Sequence, residues 1–438
     1  MRHFFRLATV MALVIAASAA SAQSDRSEDL GHRLLEAVQS VNYDAVTRLL
    51  EAGADVNVTR SDGSTPLSWA AQRADARITT ALLAAGADPN TSDENGETPL
   101  LLACAQGDAA VVRALLDAGA SLDVRRWSGH TPLLAAVHGG NLSVVRLLLE
   151  RGVDVNEAEP RMGQTPVMRA VADGHEVITR LLVEQGGDVD IASWDGFRAI
   201  HFAALHGSSE LTELLLASGA DTGVAAGDGG TPFLIALGQG SEPVARLLLA
   251  EGIDVTTRDV AGATPLHEAA REGMVELAGD LVARGADVHA RLRPASRRAS
   301  VSGEDQGVTP FLLATRGGHV EMMRRLITLG ADPEDLDVDG TGAVLFATIS
   351  RTLEAVRMLV ELGIDVNVAP PDRPTALHRA IRVGEDEIVE YLAANGADFA
   401  ARDHNGRTPL EEAEFEAPTH TIELMRRLAA DRPGGGVR

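Results

Sequence analysis

The chain has 438 residues, a net charge of -24 and 45% hydrophobic residues, of which few are aromatic. An acidic surface argues against nucleic acid or anionic lipid as a general partner. All 39 basic residues are arginine, which excludes a P-loop lysine, a Schiff-base lysine and a Ser–Lys dyad and is otherwise the mark of a GC-rich genome.

The first 22 residues read as a signal peptide. Arg2 and Arg6 make a positive start, residues 7–17 are apolar but short for a bilayer span, and Ala20-Ser21-Ala22 is a small-residue cleavage site before Gln23. Removing the two arginines with the leader takes the net charge from -24 to -26. No cysteine follows the cleavage site to carry a lipid, and no other run approaches membrane-spanning length. The expectation is an exported bacterial protein, periplasmic or secreted; the alternative is an uncleaved N-terminal anchor. Residues 23–28 form a polar tether.

Everything after the tether repeats. The clearest unit runs Gly129-His130-Thr131-Pro132-Leu133-Leu134-Ala135-Ala136-Val137-His138-Gly139-Gly140, then a Val144–Leu149 apolar run, then Gly152-Val153-Asp154-Val155-Asn156. Thr131 can cap a helix and Pro132 fits the first helical position. Ala135 and Ala136 let a second helix lie close, and Gly140 and Gly152 can take the left-handed conformation that ends a helix. Equivalent positions fall at Thr65, Thr98, Thr131, Thr165, Arg198, Thr231, Thr264, Thr309, Gly342, Thr375 and Thr408, mostly 33 residues apart, with one step of 45. Such a unit cannot bury its apolar face alone and needs a copy on each side.

In order, 29–61 is an N-terminal capping repeat with polar residues on its outer side. Repeats follow at 62–94, 95–127, 128–161 and 162–194. Ala74 stands where glycine normally ends the first helix, which carries a local cost. The lone cysteine, Cys104, replaces Ala or Val of other copies and reads as buried filler rather than a reactive thiol. The turn 157–164 has one extra residue. Repeat 195–227 is degenerate: Arg198-Ala199-Ile200-His201 loses the capping hydroxyl, on the order of 1 kcal/mol. Repeats continue at 228–260 and 261–293, then a basic inserted loop at 294–305, then 306–338, a second degenerate copy at 339–371 beginning Gly342-Ala343-Val344-Leu345, and 372–404. The last unit, 405–430, carries Glu411, Glu412, Glu414 and Glu416 and reads as a C-terminal cap with a polar outer face; 431–438 is expected to be a disordered tail.

The residues Thr264-Pro265-Leu266-His267-Glu268-Ala269 match the T-P-L-H-x-A pattern of the ankyrin-repeat family, and the chain resembles that family from about residue 29 to 430. The resemblance implies an all-α ankyrin-repeat solenoid of about twelve helix-turn-helix repeats joined by β-turn/hairpin loops. It implies that His201, His267 and His378, at the T-P-L-H position, and His175 and His319, at the Gly-His position, are structural. It also implies a protein partner bound by the turn tips and the inner face of the first helices.

Reaction chemistry is sparse. No H-E-x-x-H, G-x-S-x-G, Walker or dinucleotide glycine pattern occurs. His138 and His206 end first helices about two repeats apart, too far to share a metal. The many Asp residues fit helix ends and turns. The expectation is a non-enzymatic binding protein, monomeric and without cofactor or metal.

The tip positions include Trp127, Arg161 and Trp194, with Met162 and Phe197 beside them, a row about 20 Å long at the usual helix-packing distance. Trp and Arg are enriched in binding hot spots. The plainer reading is that each tip residue folds back on its neighbour. His138 and His206 add to the candidate surface, as do Arg291, Arg293, Arg297 and Arg298, a basic finger that could engage an acidic partner; the plainer reading there is a tolerated insertion against the chain's own acidic surface. Trp69 reads as packing. Two alternatives to a scaffold remain: a secreted effector acting on a host or neighbouring cell, and an enzyme or cofactor carrier with a cleft near the insertion.

Overall fold

The computed structural model describes residues 29–259, 262–292, 306–371 and 373–431, and among these the regular structure is entirely helical. The helices group into two compact units, one running to Phe202 with Leu214–Ala220, the other taking Ala203–Glu213 and the chain from Asp221. The 33-residue period continues across this division and gives no sign of it. No described helix is long and apolar enough to cross a membrane.

The first unit begins with α1 (29–39) and α2 (Tyr43–Glu51). Its first helices are α3 (Pro66–Gln72), α5 (Pro99–Gln106), α7 (Pro132–His138) and α9 (Pro166–Ala172); its second helices are α4 (Ala76–Ala84), α6 (Ala109–Asp117), α8 (Leu142–Glu150) and α10 (Glu176–Glu184). Each first helix packs on the next first helix, and each second helix on the next second helix. Helices α11 (Ala199–His206) and α12 (Ser209–Ala217) follow. In the second unit the first helices are α13 (Pro232–Gly238), α15 (Pro265–Glu272), α17 (Pro310–Gly317), α19 (Ala343–Ile349), α21 (Ala376–Val383) and α23 (Pro409–Glu416). The second helices are α14 (Glu242–Ala250), α16 (Val275–Ala283), α18 (Val320–Thr328), α20 (Leu353–Glu361), α22 (Asp386–Ala394) and α24 (Thr419–Ala430). The same two-layer packing recurs there.

Local chemistry explains these elements. The Thr131 hydroxyl accepts from the Leu134 N–H at 3.3 Å, with Pro132 at the first helical position, and Thr65, Thr98, Thr165, Thr231 and Thr309 repeat the device. Where Arg198 replaces threonine, its backbone N–H still donates to His201 Nδ1 at 3.1 Å, as the N–H groups of Thr264 and Thr375 do to His267 and His378, and only the hydroxyl that accepts from the first turn is lost. Gly140 takes φ 68°, and at the same repeat position Ala74, Val41 and Arg351 are forced to φ 55°, 56° and 59°. A side chain in this left-handed region costs roughly 1 kcal/mol. Buried Leu, Val, Ile and Ala fill both layers, with Phe233 and Phe311 as the largest fully buried side chains, and Cys104 lies at 0% exposure.

Two hydrogen-bonded ties join successive repeats. Asn57 donates through Nδ2 to Gly86 O at 3.3 Å and accepts through Oδ1 from the Asp88 N–H at 2.9 Å. Asn90, Asn156 and Asn367 make the same pair of bonds to the following repeat. The turn tips add a backbone bond: Glu94 N–H to Asp62 O, Trp127 N–H to Asn95 O, Trp194 N–H to Met162 O and Val338 N–H to Gln306 O.

The C-terminal unit differs from the sequence expectation at Glu412. Its side chain is fully buried rather than on a polar outer face, because the guanidinium of Arg382 (2.7 and 2.9 Å) and that of Arg407 (3.1 Å) draw it inward. The neighbouring Glu411, Glu414 and Glu416 are exposed as expected.

Candidate functional site

The tip row lies in the first unit, and the ordinary tip is a five-residue hairpin. In an ordinary tip, the Asp93 N–H donates to Glu97 O at 3.0 Å and the Asp93 carboxylate accepts from the Asn95 and Glu97 N–H groups at 2.8 Å. The next hairpin closes from Arg126 N–H to His130 O at 3.1 Å and lifts Trp127 to its apex. The tip after that is one residue longer, closing from Glu159 N–H to Gln164 O. Glutamate here replaces aspartate, and its extra methylene spans the wider loop: Glu159 accepts from the N–H groups of Arg161 (2.8 Å), Met162 (2.7 Å) and Gln164 (3.2 Å). Burial pushes the Glu159 carboxyl up, but these N–H donors outweigh it and hold it below the usual carboxylate range.

That loop sets the row. Trp127 is 71% exposed and Trp194 is 69% exposed. The Arg161 guanidinium stands 5.8 Å from the Trp127 ring centroid, within cation–π range. The Trp194 indole N–H donates to Pro160 O at 3.2 Å, and its ring lies over Gly163, where a Cβ would come within 3.0 Å of it. Gly163 takes φ 72° here, so both the conformation and the close approach require glycine. Trp194 is therefore anchored at its nitrogen while most of its ring faces solvent. Met162 is also exposed, whereas Phe197 is half-buried with its ring 5.3 Å from His201 and 5.6 Å from Phe202.

Beside the tips is a concave cavity of about 310 Å³ lined by Leu101, Ala105, Arg126, His130, His138 and Arg169. His138 Nδ1 is 2.9 Å from Asp173 Oδ2, Arg126 pairs with Glu97, and Arg169 donates to Gln164 Oε1 at 2.6 Å. Burial, followed by the charges of Arg126 and Arg169, lowers the His130 pKa, while burial raises that of Glu97 against the pull of Arg126. The cavity thus presents arginine edges and a neutral imidazole over an apolar floor, suited to holding a polar segment non-covalently. Arg126, His130 and Arg169 were missed at the sequence level. Arg169 stands four residues after its cap threonine and His138 seven after its own, a first-helix register that would have found the former.

The remaining sequence candidates lie elsewhere. His206 ends α11, exposed. Arg291 is engaged at the base of the insertion, donating to Gly307 O (3.0 Å) and Leu336 O (2.6 Å) and pairing with Asp335, so it closes the loop rather than extending from it. Arg293, Arg297 and Arg298 lie outside the described residues. Trp69 is half-buried, its indole N–H on Ser64 Oγ at 3.1 Å. Among the described residues no group of three or more His, Cys, Asp or Glu is placed to hold a metal ion.

Paired helices, hairpin tips and a ligand-sized face on the first helices define a repeat protein of the helical-hairpin class. Family models described as "Ankyrin repeats (3 copies)" match overlapping stretches from residue 34 to 291 and from 296 to 370, and "Ankyrin repeat" matches 374–404; the chain belongs to the ankyrin-repeat family. Ankyrin repeats are generally protein–protein interaction modules on non-enzymatic scaffolds. Among curated proteins the chain is 33% identical over 113 residues to Alpha-latroinsectotoxin-Lt1a of Latrodectus tredecimguttatus, covering 26% of this chain and 8% of the toxin. It is 33% identical over 122 residues to the B-cell lymphoma 3 protein homolog of Mus musculus, covering 27% of each. The chain therefore spans well under two thirds of these relatives. Among solved structures it is similar to the ankyrin repeat domain of human ASB11, with a TM-score of 0.46, 28% identity, and coverage of 50% of this chain and 96% of that one.

Proposed function

We propose that this chain is a non-enzymatic scaffold that binds another protein through the Trp127–Arg161–Trp194 tips and the adjoining cavity of Arg126, His130, His138 and Arg169. The observation that carries the reading is the exposure of two of the three tryptophans, 71% and 69%, on hairpins braced by backbone bonds. Large aromatic surface left in water on a rigid support is a feature that a partner would cover. Pro160 O holds the Trp194 indole and Glu159 fixes the loop that carries Arg161 to Trp127, so little ordering entropy would be lost on association. Acidic flanks would add electrostatic selectivity.

The same reading places the protein outside the bacterial cytoplasm, as a periplasmic or secreted molecule cleaved before Gln23, on the strength of Arg2, Arg6, the apolar run and Ala20-Ser21-Ala22. Affinity capture from the native compartment tests the site, with wild type beside Trp127→Ala/Trp194→Ala. One protein retained by wild type and lost from the variant supports the tip row. Retention by both removes the tips from the site. N-terminal sequencing of the protein recovered from that compartment tests the leader, with Gln23 as the expected first residue.

A further inference from the structure

A second concave site of about 330 Å³ lies wholly in the second unit, between α19, α21 and the tips that precede them. Its floor is apolar. Leu345 and Phe346 are buried and Ile349 is 39% exposed, an aliphatic side chain left open to solvent. Its polar edge is built from arginines: Arg379 and Arg382 on successive turns of α21, and Arg373 on the tip before it.

The carboxylates near this site neutralise only one of those arginines. Glu412 and Glu416 are taken by Arg382. The Asp337 carboxylate is held inside its own hairpin by the N–H groups of Asp339 (2.9 Å) and Thr341 (2.7 Å). The Arg379 Nε is buried and has no acceptor among the described residues. Arg373 is exposed and makes no ion pair with any described residue. Arg373 and Arg379 thus stand over the apolar floor with no ion-pair partner among the described residues, while Asp337 and Asp339 share the same lining. A guanidinium without a partner is a ready carboxylate fork.

We propose that this site docks an acidic peptide segment of a partner protein, with a carboxylate on Arg379 and Arg373 and a neighbouring aliphatic side chain on Ile349 and Leu345. Asp339, exposed at the rim, limits the charge the site accepts, so a segment with an acidic residue next to a leucine fits better than a polyanion. The apolar floor gives a free phosphate nothing to cover. The site shares no residue with the tip row, and the two stand or fall separately.

The test is fluorescence anisotropy with the 438-residue chain and a labelled, capped peptide, Gly-Ser-Glu-Leu-Leu-Asp-Ser-Gly. Two control peptides replace the acids by their amides or the leucines by serine. The expected result is saturable binding of the acidic peptide and at least about tenfold weaker binding of each control. Arg379→Gln weakens it about tenfold, equivalent to about 1.4 kcal/mol, and Arg113→Gln, at an exposed position of α6 in the first unit, leaves it unchanged. Arg373→Gln, at an exposed tip, gives the same loss and serves if Arg379→Gln disturbs the fold by circular dichroism. The proposal is overturned if the acidic peptide does not bind, if it binds no tighter than its amide control, if folded arginine variants bind it as wild type does, or if millimolar inorganic phosphate displaces it.

Discussion

Acid should loosen the second unit through His267. The ring is fully buried, with Nδ1 3.2 Å from the Thr264 backbone nitrogen and 2.8 Å from its hydroxyl, and Nε2 3.2 Å from Val308 O. A neutral ring satisfies both sides: Nε2–H donates to Val308, and Nδ1 accepts from Thr264. A proton on Nδ1 would set two N–H donors against each other. Burial, supported by the charges of Arg258 and Arg271 against the favourable Val308 carbonyl, lowers the pKa from 6.5 to about 4. The unfolded chain takes up a proton near pH 6.5 that the folded chain refuses until about pH 4. Stability is therefore complete above 6.5 and drains away as the pH falls, by about 2 kcal/mol at pH 5 and roughly 3 kcal/mol at pH 4. Glu268 beside it has its pKa raised, chiefly by burial, and works in the opposite direction as it takes up its proton. All three tryptophans lie in the first unit, so urea unfolding by tryptophan fluorescence reports that unit while far-UV circular dichroism reports both. Between pH 7 and 5 the dichroism transition of wild type should move to lower urea more than that of His267→Gln. A residual slope in the variant comes from His378, whose pKa burial also lowers. Equal pH dependence in wild type and His267→Gln would refute the reasoning.

Three further outcomes are expected. Ala74→Gly relieves a left-handed alanine and should stabilise the first unit by roughly 0.5–1 kcal/mol, the strain removed less the added freedom of the unfolded chain, seen as a higher melting temperature; a lower one would show that φ 55° carries no strain there. Glu412→Ala leaves Arg382 and Arg407 facing one another and should cost about 2 kcal/mol, less than a fully buried pair because water reaches both guanidinium groups. The loss should appear as faster amide exchange in α23 and α24, and Glu412→Gln should lose less. Cys104 is buried and its thiol is pushed well above the ordinary range, so a thiol reagent should leave native protein unmodified and label it only as the first unit opens. Rapid labelling of native protein would place the thiol at an accessible surface.

The features legible in the sequence are those fixed by one repeat and its own neighbours. Thr131 and Pro132 start a helix wherever they occur, and Cys104 is buried because its position is buried in every copy but the last. What could not be read depends on residues brought together by stacking. Glu412 sits among four glutamates of similar local context, and only Arg382, a repeat earlier, together with Arg407 decides that it alone turns inward. Arg126 and His130 close one hairpin while Arg169 lies on the first helix of the following repeat, and the three share no local pattern. The extra residue at 157–164 was visible, but not that Glu159 would span the longer loop and so set Arg161 and Met162. Arg291 illustrates the same limit: a run of arginines suggests a projecting finger, while the carbonyls that bind it belong to residues 16 and 45 positions away.

The asparagine ties bear on how such a chain can change over generations. Asn57, Asn90, Asn156 and Asn367 each reach only a backbone carbonyl and a backbone N–H of the following unit. A junction that recognises main chain is indifferent to the side chains its neighbour carries. A whole unit can then be duplicated or deleted and the two new neighbours still find each other's tie points. Surface positions such as Trp127 and Arg379 are free to diversify without renegotiating the joints.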